Sequence, residues 1–126
     1  MCGAYLGKKL SVGIIDVNAK VAQKLKISGG GKCNITNTIM SEKNFDGDAK
    51  LISSVLSRFS RDDLLEFLKQ NSLSPVVRKN RYYFCKNSSD EIINILKKLT
   101  SRNTFLLNRE ILEVKKVDEV FYVKTN

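Results

Sequence analysis

The chain has 126 residues, 42% hydrophobic and 28% charged with a formal net charge of +9, proportions that exclude a disordered chain and fit one folded domain over residues 1–126. Three cysteines without C-x-x-C spacing and no histidine exclude a disulfide scaffold, a four-ligand zinc site and the usual Ser/His or Cys/His pairs of covalent catalysis. No apolar run approaches the roughly 18 residues that cross a bilayer and no charged-then-apolar leader opens the chain, so no membrane partner and a cytoplasmic location are expected.

Residues 2–9 read as the end of a helix, with Gly7 and the lysines after it as a C-terminal cap. "LSVGIID" then predicts a strand ending at Asp16, of the kind buried on both faces of a parallel sheet. Residues 17–47 form a long polar stretch with little sign of a regular element, and such a loop in a compact domain is usually functional or disordered. Over residues 48–59, Leu51, Ile52, Val55, Leu56 and Phe59 share one helical stripe. Ser60-Arg61-Asp62-Asp63 has the form of a capping box, opening a helix that turns Leu64, Phe67 and Leu68 inward and ends between Asn71 and Pro75.

"PVVRKNRYYFC" predicts two short strands around Lys79-Asn80, since asparagine tolerates positive φ. Ser88-Ser89-Asp90-Glu91 starts a third helix, acidic at its N-terminus, with Ile92, Ile95, Leu96 and Leu99 on one face. Three β-rich runs follow, "TFLL", "EILEVKK" and "EVFYVKT", the last two pairing as a hairpin about Val117-Asp118. Helices alternating with strands, then a hairpin-rich tail, make the class α/β.

The positive charge raises nucleic acid as a partner. The lysines are spread, however, at Lys8–Lys9, Lys24, Lys26, Lys97–Lys98 and Lys115–Lys116, with no basic block interleaved with aromatics. Solvated lysine faces are the simpler reading.

The densest signal is "ISGGGKCNITN", residues 27–37. It is not a P-loop: Lys26 occupies the first glycine position of G-x-x-x-x-G-K, and Cys33 stands where Ser or Thr must reach magnesium. Composition leaves a flexible linker and a ligand loop both open. Glycines let backbone N–H groups approach an anionic or planar ligand, while Lys32, Asn34, Thr36 and Asn37 supply a cation and orienting polar groups. Asp16, an acid at a strand end, adds a candidate for ribose hydroxyls.

The stretch "IIDVNAKVAQKLKISGGGKCNITN" resembles the signature of the BaiN/YhiN-like (aminoacetone oxidase-like) FAD-dependent oxidoreductases, through Asp16, Asn18, Lys20, Lys24, Leu25, Ser28, Gly29, Gly31, Cys33, Asn34, Thr36 and Asn37. More weakly, "LISSVLSRFSRDDLLEFLKQNSL" and "RYYFCKNSSDEIINIL" resemble a helical pair and an Arg-Val-Phe-Pro segment of that family. Four positions depart from it: Asp16 for Glu, Lys32 for Arg, Ala22 for Gly, and Phe84 for Pro.

The resemblance implies a Rossmann-like, glutathione-reductase-type FAD-binding domain lacking its first strand, with the G-x-G-x-x-G loop falling upstream of Met1 and no substrate domain. It implies FAD contacts from Asp16, Lys24, Ser28, Gly29, Gly30, Gly31, Lys32, Asn34, Thr36 and Asn37, with the catalytic residues unassigned, no metal, and Cys33 as a small buried residue rather than a redox thiol. The chain alone is expected to bind FAD weakly or not at all, without turnover. Without that first strand, the "SVGIID" strand keeps an unpaired edge that invites a second copy to pair. Two rivals stay open: a basic nucleic-acid-binding module and a ligand-free interaction domain.

Overall fold

The computed structural model describes residues 2–6 and 9–126; Gly7, on which the expected helix cap rests, lies outside the described residues. In chain order the elements are α1 (Cys2–Leu6), β1 (Gly13–Asp16), α2 (Gln23–Ile27), β2 (Asn34–Asn37), α3 (Ala49–Arg58), α4 (Arg61–Gln70), β3 (Val76–Arg78), β4 (Tyr82–Phe84), α5 (Asp90–Leu99), β5 (Thr104–Leu107), β6 (Ile111–Val117) and β7 (Val120–Thr125). Single 3-10 turns lie at Ser28–Gly31 and Glu42–Asn44. The fold is mixed α/β, with one parallel strand pair and antiparallel hairpins. Two units make it up, Met1–Gln23 with Leu96–Asn126, and Lys24–Ile95.

The stretch 17–47 therefore holds more order than its composition suggests. Its elements are three to five residues long, too short to leave a periodicity that a window of about 11–18 residues can register.

In the first unit β1 pairs with β5 in parallel, from Gly13↔Thr104 to Asp16↔Leu107. Bonds from Thr104 N–H to the Val12 carbonyl (3.0 Å) and from Arg109 N–H to the Asp16 carbonyl (3.0 Å) extend the ladder at both ends. α1 approaches this pair so closely that a Cβ on Gly3 would lie 2.8 Å from Asn103 Nδ2 and 3.1 Å from Ile14 Cδ1. Asn103 Nδ2 donates to the Gly3 carbonyl at 2.9 Å. Ile14 and Ile15 are half-buried rather than buried, because two strands and a five-residue helix cannot close both faces of a sheet.

The β6–β7 ribbon has Val117↔Val120 as its innermost pair, so the turn residues are Asp118 and Glu119, one step later than the sequence suggests. Asp118 takes a left-handed φ of 53°, which a short polar side chain accommodates. Of the ribbon's residues only Thr125 is not exposed.

The second unit is built around a three-stranded antiparallel sheet in the order β2-β4-β3. Its core contains Cys33, Leu68, Leu73, Cys85, Ile92 and Ile93. Helix starts follow the sequence chemistry. Asp48 accepts from Leu51 N–H at 2.9 Å at the start of α3. At α4 the capping box closes both ways, with Ser60 N–H on Asp63 Oδ2 (2.7 Å) and Asp63 N–H on Ser60 Oγ (3.1 Å). Ahead of α5, the Glu91 carboxylate accepts from the N–H groups of Asn87 (2.8 Å) and Lys86 (3.1 Å). Burial pushes the Glu91 carboxyl up, but these bonds together outweigh it and hold it below its ordinary value.

The apolar stripe of α3 behaves differently: Leu51, Val55 and Phe59 stay exposed and the helix buries no residue. Its periodicity marks a face without ensuring that an element of this unit covers it.

Leu68 is 0% exposed, so Leu68→Ala is expected to cost about 2–5 kcal/mol in urea denaturation. Ser60→Ala, which removes the α4 cap, is expected to cost about 1 kcal/mol with an unchanged m-value.

Candidate functional site

Residues 27–37 form one ordered turn and strand. α2 runs into the Ser28–Gly31 turn, where the Ser28 hydroxyl donates back to the Leu25 carbonyl at 3.1 Å. Lys32 N–H donates to the Gly29 carbonyl (3.3 Å) and Cys33 N–H to the Ser28 carbonyl (3.0 Å), closing the turn on itself. Two further bonds hold it to the unit: Cys85 N–H to the Lys32 carbonyl (3.0 Å), and Ser89 N–H to the Gly31 carbonyl (2.8 Å). The Ser89 hydroxyl, on a buried residue, reaches the Lys26 carbonyl at 3.2 Å. A linker would not be tied to distant donors at three carbonyls, those of Lys26, Gly31 and Lys32; this is a fixed loop.

The glycines have distinct reasons. Gly29 has φ +57°, and a Cβ there would lie 2.6 Å from the Phe84 ring and 2.9 Å from the Asn34 nitrogen. Phe84, standing where the resembled family has proline, thus packs against bare backbone. Gly30 has φ +63° with nothing within 4 Å of a would-be Cβ; its left-handed backbone faces open space.

β2 follows, pairing Asn34 with Phe84, Thr36 with Tyr83 and Asn37 with Tyr82, with a bulge between Asn34 and Thr36. Asn34 is exposed, whereas Lys32, Thr36 and Asn37 are half-buried. Asn37 Oδ1 is buried with no hydrogen-bond partner, an orphaned acceptor at the end of β2 away from the glycine turn. Lys24 lies exposed on α2. Cys33 is 1% exposed and Cys85 0%, and burial pushes the Cys85 thiol up, so both cysteines are packing groups rather than ready nucleophiles.

Asp16 belongs to the first unit and the loop to the second. At the end of β1, Asp16 Oδ1 accepts from both the backbone N–H and the side-chain amide of Asn18, each at 2.8 Å. These bonds hold its carboxyl below the ordinary value, a charged acceptor at the strand end. Ala22, at a glycine position of the resembled signature, adopts φ 62°. That is a backbone conformation glycine adopts freely and alanine only with strain.

Sequence reading overlooked one cluster. "RKNRYYF" is a basic block interleaved with aromatics, with the Arg78 guanidinium 5.6 Å from the Phe84 ring centre and that of Arg81 5.3 Å from the Tyr82 ring centre. Arg78, Lys79 and Arg81 run directly into Tyr82-Tyr83-Phe84, contrary to the expectation that no basic block is interleaved with aromatics.

The family description "HI0933-like protein Rossmann domain" matches residues 1–126. The chain belongs to this family. The signature in β1, α2 and β2 is thus that of the BaiN/YhiN-like flavoproteins it resembles. Two curated relatives carry the name ribosomal RNA dihydrouridine synthase. That of Escherichia coli (strain K12) is 27% identical over 129 residues, covering 99% of this chain and 32% of its own length. That of Haemophilus influenzae (strain ATCC 51907 / DSM 11121 / KW20 / Rd) is 25% identical over 120 residues, covering 92% of this chain and 30% of its own. The chain spans about a third of the length of these curated relatives.

At Gly29 both the φ and the packing oppose a side chain; at Gly30 only the φ does. Gly30→Ala is expected to cost about 1–2 kcal/mol, and Gly29→Ala about 1–3 kcal/mol more, in chemical denaturation. Conversely, Ala22→Gly is expected to stabilise by up to about 1 kcal/mol, because it relieves a left-handed alanine; a lower melting temperature would contradict that assignment.

Proposed function

We propose that the chain is the FAD-binding portion of a flavoprotein oxidoreductase that acts on ribosomal RNA. The observation that carries the flavin reading is the Ser28–Asn37 turn and strand: a fixed left-handed backbone at Gly30 open to its surroundings, followed at once by Lys32, Asn34, Thr36 and the orphaned Asn37 acceptor. Those features suit a large, polar, phosphate-bearing ligand, since bare backbone allows close approach and an unpaired buried oxygen favours a donor arriving with the ligand.

Roles follow from the chemistry of each group. Gly30 and Gly31 offer backbone to the ligand. Lys32 supplies the charge that balances phosphate. Asn34 and Thr36 orient polar edges, and Asn37 Oδ1 accepts a donor. In the first unit, taken by itself, Asp16 uses one carboxylate oxygen on Asn18, which leaves the other as an acceptor for a hydroxyl donor. Ser28, whose hydroxyl is turned back on Leu25, shapes the turn, and Lys24 adds an exposed cation near it. When bound, FAD would supply the hydride-transfer chemistry that the side chains of this chain lack. The RNA reading rests on the activity printed for the two relatives, and the chain's net charge of +9 is consistent with a polyanionic substrate.

The flavin reading is tested by thermal unfolding with FAD in excess, which detects weak binding. With a dissociation constant of about 0.1 mM, about 1 mM FAD adds about 1.4 kcal/mol, a rise of roughly 5 °C for a chain of this size. The double variant Asn34→Ala, Asn37→Ala is expected to lose that rise relative to its own ligand-free melting temperature. An equal rise in the variant would sink the assignment of the loop, whereas no rise in the parent chain is the other branch of the expectation that the chain alone binds FAD weakly or not at all.

A further inference from the structure

The β3–β4 hairpin ends in Arg78, Lys79, Asn80 and Arg81, all exposed. Lys79 and Asn80 turn the chain with φ of 51° and 50°, and Arg81 N–H closes the turn on the Arg78 carbonyl at 3.1 Å. One face of the hairpin carries Val76 and Arg78 opposite Phe84 and Tyr82. Arg78 lies over Phe84 and Arg81 over Tyr82, the two rings meeting edge-on at 6.3 Å. Stacking of this kind holds a guanidinium in place while leaving its N–H fork outward.

The tip is also unneutralised. Between Pro75 and Ser89 there are four cations, Arg78, Lys79, Arg81 and Lys86, and no acid. No ion pair among the described residues involves Arg78, Lys79 or Arg81. Beside the tip is a cavity of about 380 Å³ lined by Thr38, Ile39, Asn44, Asn80 and Arg81. It is braced: Thr38 N–H donates to the Arg81 carbonyl at 2.8 Å, and the Arg61 guanidinium donates to the Thr38 carbonyl.

The β6–β7 ribbon is the competing surface, with exposed Phe121 and Tyr122 among lysines. There, Glu113 holds Lys115 at 2.9 Å and Glu119 holds Lys116 at 3.5 Å. Over residues 109–126, Arg109, Lys115, Lys116 and Lys124 are matched by Glu110, Glu113, Asp118 and Glu119. A neutral ribbon has no field with which to attract a polyanion; the β3–β4 tip has.

The geometry points to the β3–β4 tip as a contact surface for the phosphate backbone of RNA, with Arg78, Lys79 and Arg81 as the phosphate ligands and the adjoining cavity taking one base or sugar. This inference rests on the RNA-directed reading above and adds the place where the strand lies. Single-stranded RNA binders track the phosphates with a row of cations, and that is the part the tip supplies, its rings being covered by the arginines.

The test is fluorescence anisotropy with a fluorescein-labelled, uridine-rich RNA of about 16 nucleotides, titrated at several salt concentrations. Loss of three phosphate contacts should lower the slope of log affinity against log salt by about 2. The triple variant Arg78→Gln, Lys79→Gln, Arg81→Gln is therefore expected to bind at least tenfold more weakly at low salt, with an unchanged circular-dichroism spectrum. Arg78→Lys with Arg81→Lys should keep the salt slope. Lys115→Gln, Lys116→Gln, Lys124→Gln removes the same charge from the ribbon and should change affinity less than about threefold. Equal weakening by both triple variants, or no weakening by the tip variant, overturns the surface while the RNA reading stands. Absence of RNA binding by the parent chain removes both, leaving the FAD measurement as an independent result.

Discussion

The second unit depends on two backbone bonds, from Cys85 to the Lys32 carbonyl and from Ser89 to the Gly31 carbonyl. They fasten the glycine turn to the end of β4 and to the residue preceding α5. Buried carbonyls must find donors, and here the donors come from a segment some fifty residues later in the chain. The turn, the three-stranded sheet and the entry to α5 are consequently one object. Cys33 and Cys85 fill the space beside these bonds, and Phe84 lies over Gly29. A side chain larger than a thiol at either buried position would push the turn off its anchors.

That arrangement separates shape from ligand chemistry. Backbone atoms at residues 28–33 hold the turn, so its form does not require Lys32 or Asn34 to make particular side-chain contacts. Ala22 illustrates the same independence in the first unit. Alanine stands at a glycine position of the signature and holds a left-handed φ, so the rest of the structure must bear the strain that the residue itself opposes.

Much of the fold was legible from sequence where elements were long or capped. The α4 capping box, the α5 acidic start, the Lys79-Asn80 turn and the three C-terminal strands could be read from residue chemistry alone. Residues 17–47 could not, since α2 and β2 are shorter than the windows that reveal periodicity. The α3 stripe was legible as a pattern but not as an exposed surface, because pattern reports amphipathicity and not what is available to cover it. For the candidate site, glycine and asparagine spacing exposed the loop. Its attachment to Cys85 and Ser89 was invisible, because a backbone bond leaves no trace in side-chain identity. The arginines of the β3–β4 tip were visible as letters, but their stacking required strand register.

The burial of two thiols gives the domain an internal chemical clock. Cys2 is exposed, while Cys33 and Cys85 are closed off, so an alkylating reagent meets them only when the anchored turn opens. Their labelling rate then follows whichever opening, local or global, exposes them. Any ligand that rests on the turn would register as slower alkylation, even without absorbance or fluorescence of its own.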